Sequence, residues 1–253
     1  MAGFFGLFFQ GSAKVAVSAQ YFIVGGGGGS IGGGGGIVQG TGNIITGVTY
    51  DVVIGAGSTN YGPGRGGDSY VQSRTDNSYL GGYRAYGGGN GGYNPYPPTY
   101  VEGQTEGANG GSGGGAGANN LLSGTTAGKG IYPGSTYVDA PRQGYDGVGS
   151  YYYISGAGGG AANSSRGSSI QGIYGSHYGG NGIGIPSNFI QDGITYSTGA
   201  PQNTRAVNSG SGGGDSGVVV IRLQKIHKQI TGTYVQVDQA DGWVHYKFTS
   251  TGS

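Results

Sequence analysis

The amino-acid sequence predicts a mostly β and irregular fold. It reads as a bundle of polyglycine II helices bracketed by short β-strands, with long tyrosine-rich loops, a small C-terminal β appendage and almost no α-helix. Three observations lead there. Glycine-dense tracts recur seven times: two five-glycine runs inside Tyr21–Gly36 (YFIVGGGGGSIGGGGG), then 87–92, 110–117, 156–160, 179–184 and 210–214. Short β-branched and aromatic segments stand at both ends of this series. No window carries a sustained 3.6-residue apolar period.

Of 253 residues, 65 are glycine, about a quarter against an average near 7%. That level commonly marks low-complexity disorder. Here 12 Lys plus Arg balance 11 Asp plus Glu, for a net charge of +1. So little charge neither expands a disordered chain nor drives bulk electrostatic binding to nucleic acid or anionic membrane. Recurrent tracts between strand-like segments point instead to an ordered arrangement. Ordering glycine costs more backbone entropy than ordering any other residue, and it brings no side chain to bury. Backbone hydrogen bonds and close backbone approach must compensate. Polyproline II geometry fits, with three residues per turn, a rise of about 3.1 Å and no internal hydrogen bonds. A helix that is glycine on all three faces can be surrounded by others, each N–H and C=O pairing with a neighbour. Five glycines then span roughly 15 Å.

Residues 1–19 read as an aromatic-rich anchor and first strand, with Phe4, Phe5, Phe8 and Phe9 as anchor candidates. Such a cluster either packs on its own domain or inserts into a partner subunit, because left exposed it is a sticky patch. Residues 20–223 form the glycine-rich domain. Within and before it, 13–24 (AKVAVSAQYFIV), 44–54 (IITGVTYDVVI) and 218–223 (VVVIRL) have strand character. Between Tyr61 and Tyr178 lie 16 of the 21 tyrosines, among Ser, Asn, Gly and Pro. These segments are expected to be long loops joining glycine helices. Residues 224–253 alternate apolar and polar side chains, and Asp241-Gly242 between two such runs predicts a hairpin.

No cysteine is present, which excludes a disulfide framework and thiolate metal sites. No apolar run reaches the roughly 18 residues of a membrane span. The first 20 residues hold an apolar block and a Val17-Ser18-Ala19 that resembles a cleavage site. A basic n-region is missing and Lys14 follows the block, so no processed signal is expected.

Three segments carry a resemblance when taken together. Tyr21-Phe22-Ile23-Val24 before a glycine run is similar to the opening box of the glycine-rich domains of bacteriophage tail-fibre and other virion proteins. Residues 49–57 (TYDVVIGAG) resemble that family's second box, and 214–222 (GDSGVVVIR) its closing strand. The likeness spans about residues 20–223. It implies a polyglycine II sandwich of stacked layers, with loops at one end that contact the host, as in adhesins at the tips of T-even-type phage long tail fibres. The tracts here are short and interrupted, and the loops are long. The ending 246–253 (YKFTSTGS) looks like the strand that often precedes the opening box. It is expected to pair with the first strands of this chain or of a neighbouring subunit.

Several fragments imitate catalytic motifs. Gly214-Asp215-Ser216-Gly217 matches a protease nucleophile motif, yet His177, His227 and His245 stand in no supporting context. A turn into the closing strand is the better reading. Residues 124–130 (GTTAGKG) are one residue short of a phosphate loop, with no hydroxyl after Lys129. Glu102 and Glu106 read as solvated, and Arg222, Lys225, His227 and Lys228 as a small basic face. No metal, cofactor or enzymatic activity is expected.

The expectation for function is a virion protein, assembled in the host cytoplasm and acting extracellularly as a tail-fibre adhesin. Tyr93, Tyr96, Tyr100, Tyr151, Tyr152 and Tyr153 are the candidate receptor contacts. Tyrosine gives large contact area with two rotatable angles, while Ser, Gly and Asn adapt their hydrogen bonds. The same rings can instead shield a core that has no side chains. Expected partners are other tail, fibre or capsid subunits, a host surface glycan or outer-membrane protein, and further copies of the chain. Neither nucleic acid nor membrane insertion is expected. The alternatives are a non-adhesive structural virion protein (fibre shaft, capsid decoration or tail adaptor) and an extracellular glycine-rich matrix protein.

Overall fold

The computed structural model describes residues 3–8, 14–29, 32–60, 64–92, 110–113, 143–144, 146, 185–186, 194–197, 199, 209–224, 229–230, 234–238 and 242–249. Among them there is no helix. The strands are β1 (Gly3–Phe8), β2 (Ala16–Val24), β3 (Ile37–Ile45), β4 (Thr49–Ile54), β5 (Tyr70–Ser73), β6 (Ile185–Pro186), β7 (Thr195–Tyr196), β8 (Val218–Gln224), β9 (Gln229–Ile230), β10 (Tyr234–Asp238) and β11 (Trp243–Thr249). Every pairing between them is antiparallel. One sheet has the order β5-β4-β1-β9 and a second the order β10-β11-β8-β2-β3; β6 and β7 pair separately.

The two larger sheets share one core. In β4 the alternation buries Tyr50, Val52 and Ile54 while Thr49, Asp51 and Val53 stay partly exposed. Across from them lie Tyr21 and Ile23 of β2, Val219 and Ile221 of β8, and Val244, Tyr246 and Phe248 of β11. The period-2 pattern of these strands is thus the pattern of a sheet with one inner face. Near the glycine tracts the second sheet is covered on its other face too. There Phe22, Val24, Val218 and Val220 pack with Tyr196, whose ring meets Phe22 edge-on at 5.0 Å. Burial on both faces explains why Phe22-Ile23-Val24 and Val218–Ile221 are continuously apolar rather than alternating.

Three expectations need correction. Residues 44–54 are not one strand. β3 ends at Ile45 and β4 begins at Thr49, with Gly47 at φ 73° in the turn between them; a left-handed glycine breaks the apolar run. The C-terminal strand does not pair with the first strands. β11 lies between β10 and β8, with Val244, Tyr246 and Phe248 in register with Leu223, Ile221 and Val219. The first long strand, β2, already occupies the opposite side of β8. Nor is the region after Tyr61 loop throughout. β5 pairs with β4, and isolated bridges join Arg65 to Gly89, Ser69 to Ala85 and Gln72 to Tyr79. The alternation in Tyr70–Ser73, with Val71 and Ser73 buried, supports a short strand.

In the aromatic lead, the β1 backbone pairs with β4, placing Phe4 opposite Val53, Phe5 opposite Val52 and Phe8 opposite Thr49. Its other edge meets β9 at Leu7 and Phe8. Phe9 lies outside the described residues.

Candidate functional site

The strands run on into glycine. β2 continues into Gly25–Gly29, Gly32–Gly36 leads into β3, β4 continues into Gly55, and Gly217 leads into β8. The buried tract Gly25–Gly29 has a hydrogen-bonding pattern that repeats every three residues. Gly25 N–H donates to the Gly36 carbonyl (3.0 Å) and Gly28 N–H to the Gly33 carbonyl (2.9 Å). The carbonyls of Gly26 and Gly29 accept from Gly88 (2.8 Å) and Gly91 (2.9 Å). Between these, Gly26 N–H donates to Gly67 and Gly27 N–H to Asp215, and the Gly27 carbonyl accepts from Ser58. The second tract behaves alike: Gly33 and Gly36 donate to Gly89 and Tyr86. Backbone groups that would be orphaned in a buried loop therefore bond from segment to segment.

Glycine is needed here for space. None of Gly25–Gly29 or Gly32–Gly36 has a positive φ. A Cβ on Gly25 or Gly28 would instead collide with the Tyr86 or Gly89 carbonyl, and one on Gly27 with the Ser211 carbonyl. The same three-residue step thus appears in the steric contacts, 25 and 28 meeting 86 and 89.

Where main-chain partners run out, small polar side chains substitute. Asn90 Oδ1 accepts from Gly29 N–H (3.0 Å), and Ser69 Oγ from Gly55 N–H (2.9 Å). Gln143 accepts from Tyr86 N–H and donates to the Arg84 carbonyl, both at 2.9 Å. Ser197 Oγ donates to the Gly35 carbonyl. Sequence reasoning missed these residues and the contribution of Gly64–Gly67. The signal was faint: single Ser, Asn or Gln residues next to glycine.

Beside the glycine tracts, Arg65 and Arg84 both approach Asp68, Arg84 at 3.3 Å, and both sit over the Tyr86 ring, at 5.2 and 4.8 Å. The Tyr86 side chain, foremost, and Asp68 hold the Arg84 guanidinium above its ordinary pKa. Asp68 also accepts from Gly87 N–H at 3.0 Å, tying this cluster to the glycine backbone.

All six candidate receptor tyrosines (Tyr93, Tyr96, Tyr100, Tyr151, Tyr152 and Tyr153) lie outside the described residues, as do His177, His227, Glu102, Glu106 and 124–130. The protease-like tetrapeptide is bonded through its backbone to the glycine segments: Asp215 accepts from Gly27, Ser216 accepts from Gly210, and Gly217 donates to Gly55 before β8 begins. His245 is buried on β11 opposite Arg222, and Arg222 donates to Gln20 (2.8 Å). No group of three or more His, Cys, Asp or Glu suited to a metal occurs among the described residues.

Comparison with known protein families, characterised proteins and solved structures gives no match.

Proposed function

We propose that this chain is a bacteriophage virion protein, a tail-fibre adhesin whose glycine tracts form a polyglycine II bundle and whose Tyr/Ser/Asn/Gly loops recognise the host surface. The three-residue repeat of hydrogen bonds along Gly25–Gly29 carries the reading. A helix with three residues per turn returns the same face to the same neighbour at every third position, and only glycine tolerates neighbours on all faces.

The route of the chain supports the loop role. Gly29 ends its tract at the side remote from β2. It bonds there to Asn90 and Gly91 and lies against Asn60. The tyrosine-rich segment beginning at Tyr93 follows directly on Gly92. A main-chain core rooted in a β-sandwich is a rigid base on which to present such loops.

The test is saturable binding of the purified protein to intact candidate host cells and to extracted surface glycans. The proposal expects binding that is lost in Tyr96→Ala/Tyr100→Ala and Tyr151→Ala/Tyr152→Ala/Tyr153→Ala variants that still melt cooperatively. Absence of binding by folded protein across its hosts would leave the structural virion role as the better account.

A further inference from the structure

At the opposite end of the strands, away from the glycine tracts, lies a cavity of about 350 Å³. Its buried lining is largely apolar: Val48, Tyr50 and Leu80, with half-buried Ile45 beside them and the buried Ser73 as the polar exception. Around that floor stand Asn43, Thr75, Asp76, Ser78 and the Tyr79 ring, with Lys14 at the edge. This rim offers acceptors and donors of several kinds together with one aromatic residue. The volume falls at the lower end of the range of small-molecule sites, which are typically apolar with a few fixed polar groups.

The rim is held in place. Asp76 Oδ1 accepts from Ser78 N–H (3.2 Å) and Ser78 Oγ (2.8 Å), closing the turn in which Asn77 takes φ 58°. Gln72 Nε2 donates to the Asn77 carbonyl at 2.9 Å, fastening the turn to β5. Below, the Tyr50 hydroxyl accepts from Ile45 N–H at 2.9 Å. Tyr79 is set edge-on to Tyr70, ring centroids 5.4 Å apart. Hydrogen bonds, foremost from Ser73 and then Ser78, hold the Asp76 carboxyl below its ordinary pKa. It is therefore an acceptor at neutral pH.

We propose that this cavity is a carbohydrate site that receives one sugar ring, independent of the tyrosine loops. A sugar ring has an apolar face of C–H groups and an edge dense with hydroxyls. It matches a largely apolar floor beside Tyr79, rimmed by a carboxylate, an amide and hydroxyls. A purely apolar ligand would gain nothing from the rim groups. A free amino acid would use Lys14 and Asp76 but not the Asn43, Thr75 and Ser78 groups.

The experiment titrates the full chain with a panel of methyl hexosides and methyl N-acetylhexosaminides, following amide resonances of Val48, Thr75 and Ser78. Free glycine and leucine are titrated in parallel. We expect at least one glycoside to saturate with a dissociation constant on the order of a millimolar, the scale for so small a ligand. Asp76→Asn, which keeps an acceptor for the Ser78 turn, should weaken binding about tenfold, equivalent to the loss of one charge-assisted hydrogen bond. Asn43→Trp, which fills the cavity from an exposed position, should abolish it. Tyr83→Ala and the Tyr96→Ala/Tyr100→Ala variant should leave it unchanged, so this site and the host-binding loops stand or fall separately. No saturable shift with any glycoside, shifts indifferent to Asp76→Asn and Asn43→Trp, or saturation by amino acids alone would overturn the proposal.

Discussion

The amide of Gly28 donates to the carbonyl of Gly33 at 2.9 Å across two tracts that run in opposite directions, and three residues earlier Gly25 makes the same bond to Gly36 at 3.0 Å. The core of this region is main chain packed against main chain. Its stability rests on the absence of Cβ atoms rather than on apolar side chains.

Two glycines separate space from conformation. At Gly27, φ is not positive, but a Cβ would collide with the Ser211 carbonyl. At Gly82, φ is +79° and nothing lies within 4 Å. Gly27→Ala is expected to cost at least about 3 kcal/mol, as an overpacking whose obstacle is backbone. Gly82→Ala should cost only about 1 kcal/mol, from the left-handed conformation. Urea denaturation of both variants checks the contrast, and equal costs would remove it.

Ser69 acts as a surrogate for main chain. Its hydroxyl is fully buried and accepts from Gly55 N–H. Ser69→Ala leaves that amide without its partner and should destabilise by about 1–3 kcal/mol. A loss below the error of a urea titration would mean that another group takes over.

The C-terminal strand belongs to the core. Phe248 is 0% exposed and packs with residues of β2, β4 and β8, while Val235 on neighbouring β10 is 57% exposed. Phe248→Ala should cost about 3–5 kcal/mol, and Val235→Ala no more than about 0.5 kcal/mol. Thermal melting of the two variants measures the difference.

Much of this was legible in the sequence. Val218–Leu223 and Tyr21–Val24 announced themselves as strands by β-branched and aromatic content, and Asp241-Gly242 announced the β10–β11 hairpin, in which Gly242 takes φ 80°. The break at Gly47 was hidden, because one glycine among 65 carries little information about which of them turns the chain. Position along a sheet was hidden as well. The alternation of Trp243–Thr249 states that one face is buried, not that the neighbour is β8. Gln143 was invisible for a related reason: its value lies in two backbone groups, at Tyr86 and Arg84, more than fifty residues away in sequence.

Burial raises the pKa of Tyr21 and Tyr50 above the ordinary 10.0; at Tyr50 a hydrogen bond from the Ile45 amide partly opposes that effect. The folded state thus holds these protons more tightly than the unfolded chain. Their contribution is fully present below about pH 10 and is lost as pH rises through the folded values. Stability measured by urea should be level through neutral pH and fall above about pH 10. Tyrosinate absorbance should show late-titrating residues that disappear on unfolding. Titration of all tyrosines at the ordinary value in the native protein would contradict this.

The most direct test of the main-chain core is native-state hydrogen exchange, read residue by residue by NMR. Gly25, Gly26, Gly27, Gly28, Gly33 and Gly36 donate to the carbonyls named above and Gly35 to that of Gly210, and all seven are buried. Their amides should be protected to the same level as Ile23 and Ile221 in the strands, opening only with global unfolding. Exchange of these glycine amides at the rate of a free chain, while the strands stay protected, would show that the tracts are not bonded to one another and would contradict the account.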